Sequence, residues 1–102
     1  MYAMYGVLTA RPGARDQLAA ILARAADIAC QLPGCRLYVV NEDVEDEAVI
    51  RVYEVWDHKA AHGSSLQDAR VRALIAEAMP LLAGPPTGVE LRVVGSHGLG
   101  PC

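Results

Sequence analysis

The sequence predicts an α+β domain of the split βαβ, ferredoxin-like type, with a four-stranded antiparallel sheet and helices on one face. Three observations lead there. β-Branched or alternating stretches fall at residues 2–11, 35–41, 49–56 and 89–94. Between the first and second, and between the third and fourth, apolar residues recur at helical spacing. Pro12-Gly13, Pro33-Gly34 and Gly84-Pro85-Pro86 punctuate the joints. The order is strand, helix, strand, strand, helix, strand.

Each element has its own local reason. Tyr2 to Arg11 reads as the first strand, ended by Pro12-Gly13. From Arg15 to Leu32, Leu18, Ile21, Leu22, Ala25, Ile28, Ala29 and Leu32 share one helical face, and Pro33-Gly34 stops the helix. Cys35 to Asn41 is the second strand. The acidic stretch 41–48 reads as a solvated hairpin tip, because its carboxylates match no calcium-loop spacing. Val49 to Trp56 is the central strand, rich in residues that suit a pleated, half-buried surface. Ile50, Val52, Glu54 and Trp56 share one face of it; Val49, Arg51, Tyr53 and Val55 share the other. Asp57 is expected to cap a short turn over His58 to His62, with Gly63 breaking it. Ser64 with Gln67 reads as a capping box for a helix running to about Met79. Leu66, Leu74, Ile75 and Met79 form its apolar side. Val89 to Val94 is the last strand. Residues 1–96 then form one domain, and 97–102 a Gly-rich flexible tail.

Composition narrows the partners. The chain has 102 residues, 53% of them hydrophobic, with a net charge of −3 and mean hydropathy +0.21. That is apolar for a small domain, and helices cover only one sheet face. A second copy across a two-fold axis would cover the other, so a homodimer is expected. The acidic balance speaks against nucleic acid as a partner. No apolar run reaches the roughly 20 residues of a membrane helix, and the first residues lack a basic leader, so a cytoplasmic protein without membrane contact is expected. Cys30, Cys35 and Cys102 read as reduced thiols; the last is expected to be exposed and open to oxidation.

Chemistry-bearing residues are few. Trp56 is the only Trp: either a flat wall for an aromatic ligand or a core aromatic with its N–H satisfied locally. Glu54 is either a base or orienting carboxylate, or the partner of Arg51 or Arg92 in a surface ion pair. His62, six residues after Trp56, is a candidate general base, because imidazole side chains titrate near neutrality. Its plain alternative is a helix-end histidine at the water's edge. Tyr5 and Tyr38 are candidate hydrogen-bond donors to substrate, on faces the sequence leaves open. Asp57, His58 and His62 lack a third ligand at metal spacing, so no metal site is expected.

The residues together resemble a known family. Pro12-Gly13, Pro33-Gly34-Cys35, Tyr53-Glu54-Val55-Trp56 and Pro80-Leu81-Leu82-Ala83-Gly84-Pro85-Pro86 are similar in order and spacing to the antibiotic biosynthesis monooxygenase domain, over about residues 2–96. The resemblance implies a dimeric α+β barrel with a pocket between sheet and helices. It also implies oxidation of phenols, quinols or anthrones by dioxygen, without metal or flavin. Relatives include haem-degrading enzymes, a sugar-phosphate isomerase and members with no known reaction. The chain departs from the pattern at several positions. Ser65 stands where many members have His, nine residues after the Trp. In anthrone oxygenases an Asn precedes the Trp by four and a Tyr follows by six; here these are Val52 and His62. Thr9, Ser65 and Ile75 replace the residues a haem degrader needs.

The leading expectation is a cofactor-independent monooxygenase-like enzyme for a small aromatic or polyphenolic substrate. His62 would be the base, Trp56 the platform and Glu54 the orienter, with Tyr5, Tyr38, Val52 and Ser65 lining the substrate site. Two alternatives stand beside it: a non-catalytic dimeric barrel that binds a small hydrophobic molecule, and an isomerase of a small carbonyl compound.

Overall fold

A computed structural model describes residues 1–100. The elements are β1 (Tyr2–Thr9), α1 (Arg15–Ala29), β2 (Cys35–Glu42), β3 (Val49–Trp56), α2 (Lys59–Ser65), α3 (Ala69–Ala78), a 3₁₀ turn (Met79–Leu81) and β4 (Thr87–Arg92). One antiparallel sheet has the order β2-β3-β1-β4. This is the split βαβ arrangement that the element order predicts.

The register fixes which residues share a face. Tyr2, Gly6 and Leu8 lie opposite Trp56, Val52 and Ile50, and Met4 opposite Glu54. Tyr38 and Val40 lie opposite Glu54 and Val52 from the other side. Ile50 and Val52 pack with Leu18, Ile21 and Ala25 of α1 and Leu74 and Ala78 of α3. Trp56 packs with Ala29 and Cys35, with Ala61 of α2 against them. All three helices therefore sit over the same face. Leu18, Ile50 and Trp56 are completely buried there. Each buried aliphatic side chain of this kind contributes about 1.5–3 kcal/mol. The opposite face carries Tyr5, Arg51 and Tyr53 at the centre and exposed Val39, Val89 and Leu91 toward the edges.

Gly34 is needed where it stands. Its φ is +85°, and a Cβ there would lie 2.7 Å from Cβ of Ala61. The turn before β2 can thus press against α2 only without a side chain.

Three local expectations need correction. Gly63 does not break α2, which runs through it. A helical Gly costs about 1 kcal/mol relative to Ala. His58, not Asp57, caps α2: its Nδ1 accepts the Ala61 N–H at 3.1 Å. Asp57 instead pairs with Arg36 at 2.6 Å. At the next helix Asp68, not Ser64, is the cap, its Oδ1 accepting from the N–H groups of Arg70 and Val71. A carboxylate one residue before Ala69 is simply closer to the orphan donors than a hydroxyl five positions back. The hairpin tip is exposed to solvent, as expected, and is pinned by two arginines. Arg15 reaches from α1 to donate to the carbonyls of Asp43 and Asp46, both at 2.9 Å, and Arg51 donates to the Asp43 carboxylate at 3.0 Å. Cys102, expected to be exposed, lies outside the described residues.

Candidate functional site

Between the sheet and helices α1 and α3 lies a cavity of about 260 Å³. That is near the lower end of small-molecule sites. Its walls come from every layer: Leu8 of β1, Tyr38 of β2, Glu54 and Trp56 of β3, Ile21 and Leu22 of α1, His62 of α2, and Leu74 and Ile75 of α3. Leu66, Ile75 and Met79 border the hollow and are exposed. They form an apolar lip at its opening, where the sequence suggested only a helix face packed on the core.

The polar groups gather at one end. Trp56 Nε1–H donates to Glu54 Oε1 at 3.0 Å. His62 Nε2 stands 3.7 Å from the same oxygen. The His62 ring meets the Trp56 ring edge-on, with centroids 5.9 Å apart and planes at 70°. On its other side the Tyr2 ring lies 5.5 Å away. Tyr2 is tied in turn: its hydroxyl donates to Glu90 at 3.0 Å, and Lys59 pairs with the same carboxylate at 2.9 Å. His62 and Glu54 side chains are each only 14% exposed.

Burial sets the electrostatics. It raises the Glu54 carboxyl above its ordinary value, only partly countered by the Trp56 hydrogen bond and the His62 charge. Tyr38, directly across from Glu54 on β2, is driven strongly upward by burial and then by that carboxylate, so it stays a neutral phenol. At the rim, Lys59 and then Tyr2 hold Glu90 below the usual carboxylate range. A neutral phenol, a carboxyl group of raised proton affinity and an imidazole thus converge on one end of an apolar hollow. Together they can accept, hold and return a proton there. Among the described residues, no three His, Cys, Asp or Glu side chains gather as metal ligands would.

The structure brings together His62, Glu54, Trp56, Tyr38 and Ser65 at the cavity. It does not bring Tyr5 or Val52 there. Tyr5 is opposite Tyr53 on the other sheet face, where its hydroxyl accepts from Arg51 at 3.2 Å. One step of register decides this, because neighbours along a strand face opposite ways. Val52 is buried in the core under α1. Ser65 borders the hollow, yet its hydroxyl donates back to the His62 carbonyl and steadies the last turn of α2. Trp56 is wholly buried, so its N–H, more than an open ring face, is what it offers the site. The surface ion pair considered for Glu54 does not form: Arg51 lies on the far face with Asp43, and Glu54 is tied to Trp56 and His62. Tyr2 was missed, although it shares a face with Trp56 once β1 and β3 are paired; only the register supplies that signal.

A split βαβ sheet carrying a small, largely apolar cavity with an acid–imidazole end defines an α+β domain of the ferredoxin-like class. The chain belongs to the antibiotic biosynthesis monooxygenase family, whose sequence profile matches residues 1–77. A Chloroflexus aurantiacus protein, described provisionally as an antibiotic biosynthesis monooxygenase, is 40% identical. It covers 97% of this chain and 98% of its own, with a TM-score of 0.89. A Deinococcus radiodurans protein described the same way is 23% identical over 98% of this chain and 99% of its own, with a TM-score of 0.84. A Nitrosomonas europaea protein of unknown function is 24% identical over 94% of this chain and 91% of its own, with a TM-score of 0.81. A search of curated proteins finds no match. Monooxygenase-like function is thereby supported in general terms. No helix among the described residues is long and apolar enough to cross a membrane.

Proposed function

We propose that the protein is a cofactor-independent monooxygenase for a small phenolic or polyphenolic substrate, with His62 as its base. The observation that carries this reading is the position of His62, 3.7 Å from Glu54, at the polar end of an otherwise apolar cavity. Triplet dioxygen reacts slowly with closed-shell molecules, but a phenolate or its carbanion form can give it one electron. The protein must then take a proton, exclude water and keep the pair together. His62 accepts the phenolic proton, and Glu54 stabilises the resulting imidazolium. Trp56 holds Glu54 in place through its N–H. The substrate anion passes one electron to dioxygen, and the two radicals join through a new C–O bond. The peroxide takes a proton back from His62 and loses water, leaving a carbonyl. In the net change one ring methylene, or its enol tautomer, and one dioxygen become one carbonyl and one water. Tyr38 supports this by donating to the substrate's oxygen.

The homodimer belongs to the same reading. Exposed Val39, Val89 and Leu91 on the uncovered sheet face are what a second copy would bury. Leu91→Arg should shift the sedimentation profile from dimer to monomer; an unchanged profile would remove that face as the interface.

A second reading, a non-catalytic binder of a small hydrophobic molecule, is favoured by the departures at Val52 and Ser65 and by the enclosed Trp56. An oxygen electrode with hydroquinone and naphthohydroquinone substrates separates the two. Oxygen uptake that falls about a hundredfold in His62→Ala supports the oxygenase. Ligand binding without uptake selects the binder.

A further inference from the structure

We infer that the cavity selects uncharged ligands of at most about two fused rings with one polar end, and that Glu54 enforces this by keeping His62 from serving an anion. This rests on the cavity being the ligand site, as proposed above, and adds the class of ligand it takes.

The length follows from the register. Glu54 and Tyr38, paired across β3 and β2, mark the polar end; Met4 lies opposite Glu54 on β1, and Leu8 lies four residues further along that strand. At ~3.3 Å per residue the two ends stand about 13 Å apart. One end is Tyr38, Glu54 and His62, and toward the other stand Leu8, Ile21 and Leu22. A ligand matching this outline has an oxygen at one end and an apolar body of one or two rings.

The charge selection follows from which groups are absent and which are paired. Among the described residues lining the cavity there is no Lys or Arg. The chain's single lysine, Lys59, is engaged with Glu90. The cavity's one group able to become cationic is His62, and its Nε2 already faces Glu54. With both ionised the pair is neutral; with both uncharged there is no charge to offer. With Glu54 ionised, an incoming carboxylate would face an acid of its own sign; with both uncharged, it would be an uncompensated charge in an apolar hollow. A phenol or ketone meets no such penalty and finds the neutral phenol of Tyr38 as a donor.

The test is an anaerobic calorimetric titration with 2-naphthol and 2-naphthoate, which share a ring system and differ in charge. At pH 7.5 the naphthol should bind at least about tenfold more tightly. Glu54→Gln leaves an acceptor for the Trp56 N–H but removes the charge that pairs with His62. It should tighten naphthoate binding and bring the gap below about threefold. Glu77→Gln, on the surface of α3, should leave the gap unchanged. Equal binding of the two probes, no binding of either, or a gap untouched by Glu54→Gln would overturn the inference. Oxygen uptake with 1,4-naphthohydroquinone is read separately. Selective naphthol binding without uptake would uphold the ligand class while removing the oxygenase reading. Uptake with equal probe binding would do the reverse.

Discussion

Two carboxylates near opposite ends of β3 behave in opposite ways. Asp43, in the hairpin that leads into the strand, is pulled down to about 2, first by backbone N–H donors from Asp46 and Glu45 and then by Arg51. Glu54, near the strand's other end, is raised by burial. The hairpin holds most of the local charge, with Glu42, Asp43, Glu45, Asp46 and Glu47 answered by Arg15 and Arg51. Its charges are spent on fixing a loop. The cavity end holds one acid and one imidazole with little else polar nearby, and there each charge is costly and its protonation responsive. Density of charge marks the scaffold in this molecule; scarcity of charge inside an apolar hollow marks the site.

Substitutions sharpen that contrast. The largest effect should come from Trp56→Ala, which empties the space beside Ala29 and Cys35 and frees Glu54. Urea denaturation should show a loss of about 3–5 kcal/mol. A loss under about 1 kcal/mol would mean the indole is not the anchor of the site.

Next comes His62→Ala, with oxygen uptake down about a hundredfold and a melting transition that remains cooperative. Uptake equal to wild type would show the imidazole to be a structural element only.

Smaller, and diagnostic in sign, is the pH dependence of Glu54→Gln. The folded-state value of Glu54 is raised above 4.5. Its protonated form therefore stabilises the fold below that ordinary value, and this contribution is lost as pH rises through the folded-state value. Thermal melts of Glu54→Gln should gain on wild type as pH climbs from acid toward neutral. A gain that shrinks instead would mean burial is not the dominant influence on Glu54.

The smallest effect belongs to the hairpin, with the opposite slope. Asp43 has its value lowered from 3.8 to about 2, so its contribution is present above 3.8 and fades as pH falls toward 2. Asp43→Asn should trail wild type slightly at neutral pH and match it at pH 2. A constant difference across that range would detach the effect from ionisation.

Much of this was legible in the chain itself. The alternation of β3 placed Ile50, Val52, Glu54 and Trp56 together, and the Pro-Gly joints gave the element order. What escaped was long-range or depended on competition between near neighbours. Whether Tyr5 or Tyr2 packs against His62 depends on the pairing of β1 with β3, which no local pattern contains. Asp68 and Ser64 are both good caps, and only the path of the chain after α2 selects between them. Arg15 reaching across to the hairpin joins residues far apart in sequence. Val52 sits on the correct face, yet α1 covers it before any ligand can.

The most direct test follows the indole N–H of Trp56, the single Trp in the chain, by ¹H–¹⁵N spectroscopy during titration with 2-naphthol. The Trp56 Nε1–H and the His62 ring signals should shift together and saturate, while the amides of residues 43–46 stay fixed. Saturating shifts confined to the hairpin or to Val39, Val89 and Leu91, with Trp56 unmoved, would place the ligand elsewhere and contradict the assignment of the cavity as the site.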